Sequence, residues 1–313
     1  MRFHTAAAAL SAAVLLTACG GTANGEDADR AGDRLEVSVG FYPYAFVAER
    51  VGGPDVDVVN LTKPGGEPHD LELTPQQVAG LSETDLVVFS KGFQPAVDEA
   101  VEQQAADKAL DVLTTVELRE GEAHDEQDVH EGEEEGEEHG DEGGQDPHVW
   151  LDPVRLGTIA GAVADELAAL DPDRADAFQE RAAALQAELG ELDEELRTGL
   201  SSCAWQEIVT SHDAIGYLAG AYGLEQVSLA GLSPDDEASP GRLAEVATYA
   251  QENGVTTIFF EETASPRVAE SLAREVGAEA VVLSPLEGAP ETGDYLSAMR
   301  TNLQALQTAL DCA

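Results

Sequence analysis

From Leu35 onward, short runs of β-branched and aliphatic residues alternate with segments whose apolar positions recur at helical spacing. In the first half, the runs at 35–39, 56–61, 86–90 and, more weakly, 110–113 predict strands, with helices over 45–51, 74–81 and 95–104. The second half repeats the scheme, with strands over 207–210, 226–230, 256–260 and 280–283 and helices over 214–222, 241–253, 266–276 and 295–310. The strand runs are continuous rather than alternating, so both faces of each strand are expected to be covered. That pattern belongs to parallel sheets wrapped in helices. The chain is read as an α/β protein of two lobes, 35–170 and 201–313, each built on a mostly parallel sheet of four strands.

Between the lobes the pattern changes. Asp171-Pro172 reads as an N-cap followed by proline at the first helical position. Phe178, Leu185, Leu189, Leu192, Leu196 and Leu200 then recur at steps of 7, 4, 3, 4 and 4. They form one apolar stripe on a linker helix of about 27 residues within 171–200, roughly 40 Å long at about 1.5 Å per residue. Such a helix would be a stiff strut; a hairpin broken at Gly190 is the alternative.

The first residues read as an address. Arg2 precedes an eleven-residue apolar run at 6–16, which is too short to span a membrane and suits a secretory signal. Leu16-Thr17-Ala18-Cys19 follows and is similar to a bacterial lipobox, in which the cysteine is lipidated. The segment 20–34 would be a flexible tether, so the protein is expected outside the cytoplasm, anchored through Cys19 to the outer face of the cell membrane. Cys203 and Cys312 then remain, an even number in an oxidising compartment. A disulfide between them is favoured over two free thiols.

Charge narrows the partners. The chain carries 62 acidic against 16 basic side chains, a formal charge of −46, which excludes a nucleic-acid surface and favours a cation. Over 117–146 there are fifteen Asp or Glu, six Gly, one Arg (Arg119) and three histidines, His124, His130 and His139. No apolar period survives there, so a solvated, disordered loop within the first lobe is expected. Its imidazoles among carboxylates would form a weak, multi-site trap for divalent cations.

Three other histidines fall in ordered contexts. His69 lies just past a predicted strand, His148 sits between Pro147 and Pro153, and His212 follows the strand at 207–210. Ligands of open α/β sheets bind beyond the strand C-termini, so His69 and His212, from opposite lobes, can face one cleft. A fourth donor would close a tetrahedron. Glu287, beyond the last strand, is the first candidate, with Glu261 and Glu262 competing. Glu67 and Asp213, adjacent to these histidines, suit hydrogen-bond partners of the ligands.

The segments PGGEPHDLELTP, DPHVWLDP, SHDAIGYLAGAYGL and LSPLEG, in that order around an acidic insert, resemble the zinc-binding solute-receptor lipoproteins of bacterial ABC importers. The resemblance covers the chain from Leu35 to the C-terminus. It implies two α/β lobes joined by a rigid helix with metal held between them, and histidine ligands at His69, His148 and His212. It also implies a carboxylate ligand at Glu287, with Ser284 where the family has Asn. Relatives that carry manganese place a carboxylate at the position of His212, and members reading DPLG near the last strand lack the glutamate. Three neutral imidazoles and one carboxylate suit Zn²⁺. The implied protein is a monomeric receptor, not an enzyme, that captures Zn²⁺ and passes it to the membrane subunits of an ABC permease. The alternatives are a manganese receptor of the same family, a secreted zinc hydrolase with Glu261 or Glu262 as general base, and an adhesin. No HExxH-type helix supports the hydrolase.

Overall fold

Two sheets of one plan organise the chain in the computed structural model, which describes residues 34–119, 145–234, 238–261 and 265–313. Cys19 and the signal, the tether up to residue 33, the loop histidines His124, His130 and His139, and Glu262 lie outside the described residues. The first half runs β1 (Leu35–Val39), α1 (Tyr42–Gly52), β2 (Val56–Asn60), α2 (Pro75–Leu81), β3 (Leu86–Phe89), α3 (Pro95–Gln104) and β4 (Ala109–Asp111). Then come α4 (Pro153–Leu170) and α5 (Ala175–Leu200). The second half runs β5 (Glu207–Thr210), α6 (Gly216–Tyr222), β6 (Glu225–Ser228), α7 (Pro240–Glu252), β7 (Thr257–Phe260), α8 (Arg267–Val276), β8 (Glu279–Val282) and α9 (Tyr295–Ala309).

The strand orders are β2-β1-β3-β4 and β6-β5-β7-β8, and every pairing is parallel. Val37 and Val39 in β1 and Val87 and Val88 in β3 are wholly buried, as are Ile208 and Val209 in β5 and Ile258 in β7. Burial on both faces is why these runs read as continuous apolar stretches. All strands of a parallel sheet end on the same edge, so the loops after β2, β5, β7 and β8 gather at the C-terminal edges of the two sheets.

The expected strands are present, with ends shifted by a residue or two. The weakest, at 110–113, is cut short because Asp111 Oδ1 accepts from Leu113 N and turns the chain into a 3₁₀ turn, Val112–Thr115. The helix after His212 starts at Gly216 rather than at Ala214. Helix α4 has no counterpart among the predicted elements. Asp152 caps it by accepting from Val154 N and Arg155 N, Pro153 sits at its start, and its small residues let α5 approach closely. A Cβ at Gly161 would come within 3.1 Å of Gln186 on α5, whose amide donates to Gly157 O.

Helix α5 begins at Ala175, after Asp171 has capped a short 3₁₀ turn, and it runs through Gly190 without a break. Its buried face is Phe178, Ala182, Leu185, Leu189, Leu192, Leu196 and Leu200. Each large side chain contributes about 1.5–3 kcal/mol by burial, and Leu189→Ala would cost about 2–5 kcal/mol. Ion pairs pin the helix toward both lobes: Arg181 to Asp55 at 2.9 Å and Arg50 to Glu188 at 2.5 Å, then Arg300 to Glu195 at 2.7 Å. Cys203, just past α5, is bonded to Cys312, just past α9, across 109 residues. Among the described residues no helix is long and apolar enough to cross a membrane.

Candidate metal centre

Four loops carry the candidate donors, and each is shaped locally. His69 lies between β2 and α2, in a loop that ends where Thr74 and Gln77 cap α2 reciprocally. His148 lies two residues after Asp146, whose Oδ1 accepts from His148 N at 2.9 Å and closes a side-chain turn. His212 follows β5, where Asp213 N bonds Gly231 O. Glu287 follows β8 through a backbone that is unusual for its residue type. Leu286 has φ +56°, a left-handed conformation that a non-glycine residue adopts at a cost of about 1–2 kcal/mol. The Leu286 side chain is buried, which holds the turn that aims Glu287 inward. Ser284 Oγ accepts from Leu286 N at 3.3 Å, so serine makes here the turn for which an Asn side chain is suited.

These loops bring His69, His148, His212 and Glu287 together, with one potential ligand atom from each lying within 4.8 Å of all the others. Glu287 Oε1 is 3.3 Å from His69 Nε2, 3.7 Å from His212 Nε2 and 3.8 Å from His148 Nε2. Tetrahedral ligands about 2.0–2.1 Å from one ion stand about 3.3–3.4 Å apart, so this cluster needs only small movements to hold one. His148 Nε2, His212 Nε2 and Glu287 Oε2 are buried and meet no hydrogen-bond partner. Buried polar atoms are almost always paired, so two orphaned ring nitrogens beside a buried carboxylate mark a site shaped for a cation. His69 is the most accessible of the four, its side chain 9% exposed against 0–1% for the others. It closes the solvent side.

Two carboxylates turn two of the rings inward. Asp146 Oδ1 lies 2.8 Å from His148 Nδ1, and Glu261 Oε1 accepts from His212 Nδ1 and, at 2.7 Å, from Ser211 Oγ. A ring whose Nδ1–H is held this way presents its Nε2 lone pair to the centre. Burial works against charge on both His212 and Glu287, but their mutual contacts outweigh it. The His212 imidazole is pushed up to about 10, with Glu261 and Glu287 as the raising partners. The Glu287 carboxyl is held well below the usual carboxylate range by His212 and His69. Glu261 and Glu287 thus favour a protonated His212 when no metal is bound, with Glu287 as its counter-ion.

The competing and accessory residues stand around the four donors rather than among them. Glu261 stands on the Nδ1 side of His212, away from the shared point. Glu67 Oε1 accepts from the backbone N–H of His69 at 3.0 Å rather than from its ring, and burial, with help from Glu287, raises its carboxyl. Asp213 engages Gly231 through its backbone. The ring-orienting role of Asp146 was not anticipated, although Asp-Pro-His, an acid two residues before a candidate ligand, was the signal available. Among the described residues this is the one group of His, Cys, Asp and Glu side chains arranged to hold a metal ion.

The family model for the zinc-uptake complex component A, periplasmic, matches residues 37–309. The chain belongs to this family. It is 37% identical over 306 residues to the high-affinity zinc uptake system protein ZnuA of Bacillus subtilis, covering 95% of this chain and 94% of that one. Among solved structures, the laminin-binding protein Lmb of Streptococcus agalactiae, described as bifunctional with adhesin and metal-transporting activity, superposes with a TM-score of 0.77. It is 29% identical and covers 88% of this chain and 99% of its own. Zn(II)-bound AdcA of Streptococcus pneumoniae superposes with a TM-score of 0.72 at 33% identity, covering 89% of this chain; the match spans 58% of that longer protein. The family's two-lobe plan with its long linker helix is the fold described above.

Proposed function

We propose that this protein is an extracytoplasmic receptor that captures Zn²⁺ at His69, His148, His212 and Glu287 and delivers it to the membrane subunits of an ABC permease. The observation that carries the proposal is the convergence of one ligand atom from each of these four residues within 4.8 Å, with the Nε2 atoms of His148 and His212 buried and unpaired. Three imidazoles and one carboxylate suit a borderline-soft ion at four-coordination, while Mn²⁺ favours more oxygen donors. Four protein donors leave no position for a catalytic water, which favours carriage over hydrolysis. The zinc-uptake and zinc-binding relatives point the same way.

The remaining parts serve the same task. Lipidation at Cys19 anchors the protein to the outer face of the membrane, 20–34 is the tether, and the receptor acts as a monomer. The lobes 35–170 and 201–313 close on the ion around the linker, and His124, His130 and His139 collect metal weakly outside the tight site.

Calorimetric titration of metal-free protein tests this reading: one tight Zn²⁺ site is expected, abolished in His212→Ala. Full affinity in that variant would sink the assignment. Deleting residues 122–145 should remove only the weaker equivalents, and loss of the tight site would make a loop histidine a true ligand.

A further inference from the structure

Behind the ligand loops, each lobe carries a glutamine with the same hydrogen-bond grammar. In the first lobe, Gln94 Nε2 donates to Thr62 Oγ1 at 3.0 Å and to Pro68 O at 3.1 Å, and Thr62 Oγ1 donates on to Gly40 O at 2.7 Å. In the second, Gln226 Nε2 donates to Thr210 Oγ1 at 2.9 Å and to His212 O at 3.2 Å, and Thr210 Oγ1 donates to His212 O at 2.8 Å. Backbone carbonyls can only accept, so the orientation of both amides is fixed by these contacts. The two arrangements are not copies. Gln94 follows β3 and reaches a threonine after β2, whereas Gln226 lies in β6 and reaches one at the end of β5.

We infer that Gln94 and Gln226 are positioning residues for the metal cargo, one per lobe, each fixing the backbone of a histidine so that its ring meets the shared point. Pro68 O and His69 N belong to one peptide unit. Gln94 holds its oxygen and Glu67 its N–H, so that plane is clamped at both ends. Phe93, the neighbour of Gln94, packs edge-on against the His69 ring at 4.3 Å between centroids. The other clamp grips His212 directly, at the carbonyl of the residue whose ring Glu261 turns.

Two details concern the amide oxygens of these side chains. Gln226 Oε1 is buried without a partner, a penalty that an apolar side chain of the same shape would avoid. At Gly40 an added Cβ would come within 2.4 Å of Gln94 Oε1, so the backbone is cleared for this side chain. Gln94 itself is 2% exposed, and no solvent replaces its bonds.

The inference rests on the zinc-receptor reading, and the test separates the two. Gln94→Met and Gln226→Met keep length and remove the donors. Thr84→Val serves as the control, because Thr84 is a buried threonine whose hydroxyl bonds Glu36 O and Leu86 O away from the site. Zn²⁺ affinity is measured by chelator competition, Co²⁺ coordination by its visible absorption, and metal-free stability by thermal unfolding.

Both glutamine variants should bind Zn²⁺ about 10–100-fold more weakly and lose the intense absorption of tetrahedral Co²⁺. Thr84→Val should lose thermal stability at unchanged affinity. Wild-type affinity and an unchanged Co²⁺ spectrum in the glutamine variants would overturn the inference. A wild-type protein without a tight zinc site would instead overturn the receptor reading. Should Gln94→Met fail to fold, the half-buried Gln226→Met decides alone.

Discussion

Asp146 grips His148 twice with a single oxygen: Oδ1 lies 2.9 Å from the backbone N and 2.8 Å from the ring Nδ1. Its other oxygen meets Arg119 at 3.3 Å, and its carbonyl accepts from Tyr217 of α6 at 2.9 Å. One wholly buried aspartate thus sets both the position and the tautomer of a proposed ligand. Asp146→Ala should weaken zinc binding about 10–100-fold, which chelator competition can measure. Unchanged affinity would show that Pro147 and Pro153 orient the ring unaided.

Glu287 is the counter-ion of the metal-free site. With Glu287→Gln, the His212 imidazole should titrate below its value of about 10, because burial opposes its charge and one of two acidic partners is gone. Proton NMR of the metal-free variant reads the shift directly. The same variant should bind Zn²⁺ more weakly than wild type.

In the proposed site, zinc displaces the proton that the two neighbouring carboxylates favour on His212. About one proton per ion should therefore be released near pH 7, with affinity rising about tenfold per pH unit from that group alone as pH increases toward 10. Calorimetry in two buffers of different ionisation enthalpy counts the protons. An affinity flat between pH 5 and pH 7 would contradict histidine ligation.

The metal-free protein should respond in the opposite direction. The folded value of His212 lies above its ordinary 6.5, so the stabilisation it provides is complete below pH 6.5 and is lost as pH rises to about 10. Thermal unfolding in the presence of a chelator should show falling stability across that window, and saturating Zn²⁺ should remove the fall.

The Cys203–Cys312 bond closes a loop that contains the whole second sheet. Loss of chain entropy in the unfolded state makes such a closure worth about 4–5 kcal/mol. Replacing both cysteines with serine should lower denaturant stability by that order while leaving the four metal donors in place. Stability unchanged by the double substitution would show that the backbone pairing of Ala204 and Ala313 with their partners suffices to hold the C-terminus.

Periodicity along the chain was enough to place the strands, the stripe of α5 and the parallel two-lobe plan, because burial on one or both faces leaves a repeating mark in one dimension. His69, His212 and Glu287 were legible as loop residues beyond strand ends and His148 as a histidine between two prolines, and the resemblance joined them. Helix α4 escaped notice because its small residues, which let α5 approach, weaken the apolar rhythm. Nothing one-dimensional could decide which carboxylate meets which ring. Glu261 and His212 are 49 residues apart and His69 and Glu287 are 218 apart, yet each pair touches. Their meeting depends on how whole elements stack, and so do the left-handed turn at Leu286 and the two glutamine clamps. Side-chain order in sequence records which surface is hidden; only packing in three dimensions settles what each buried polar atom finds there.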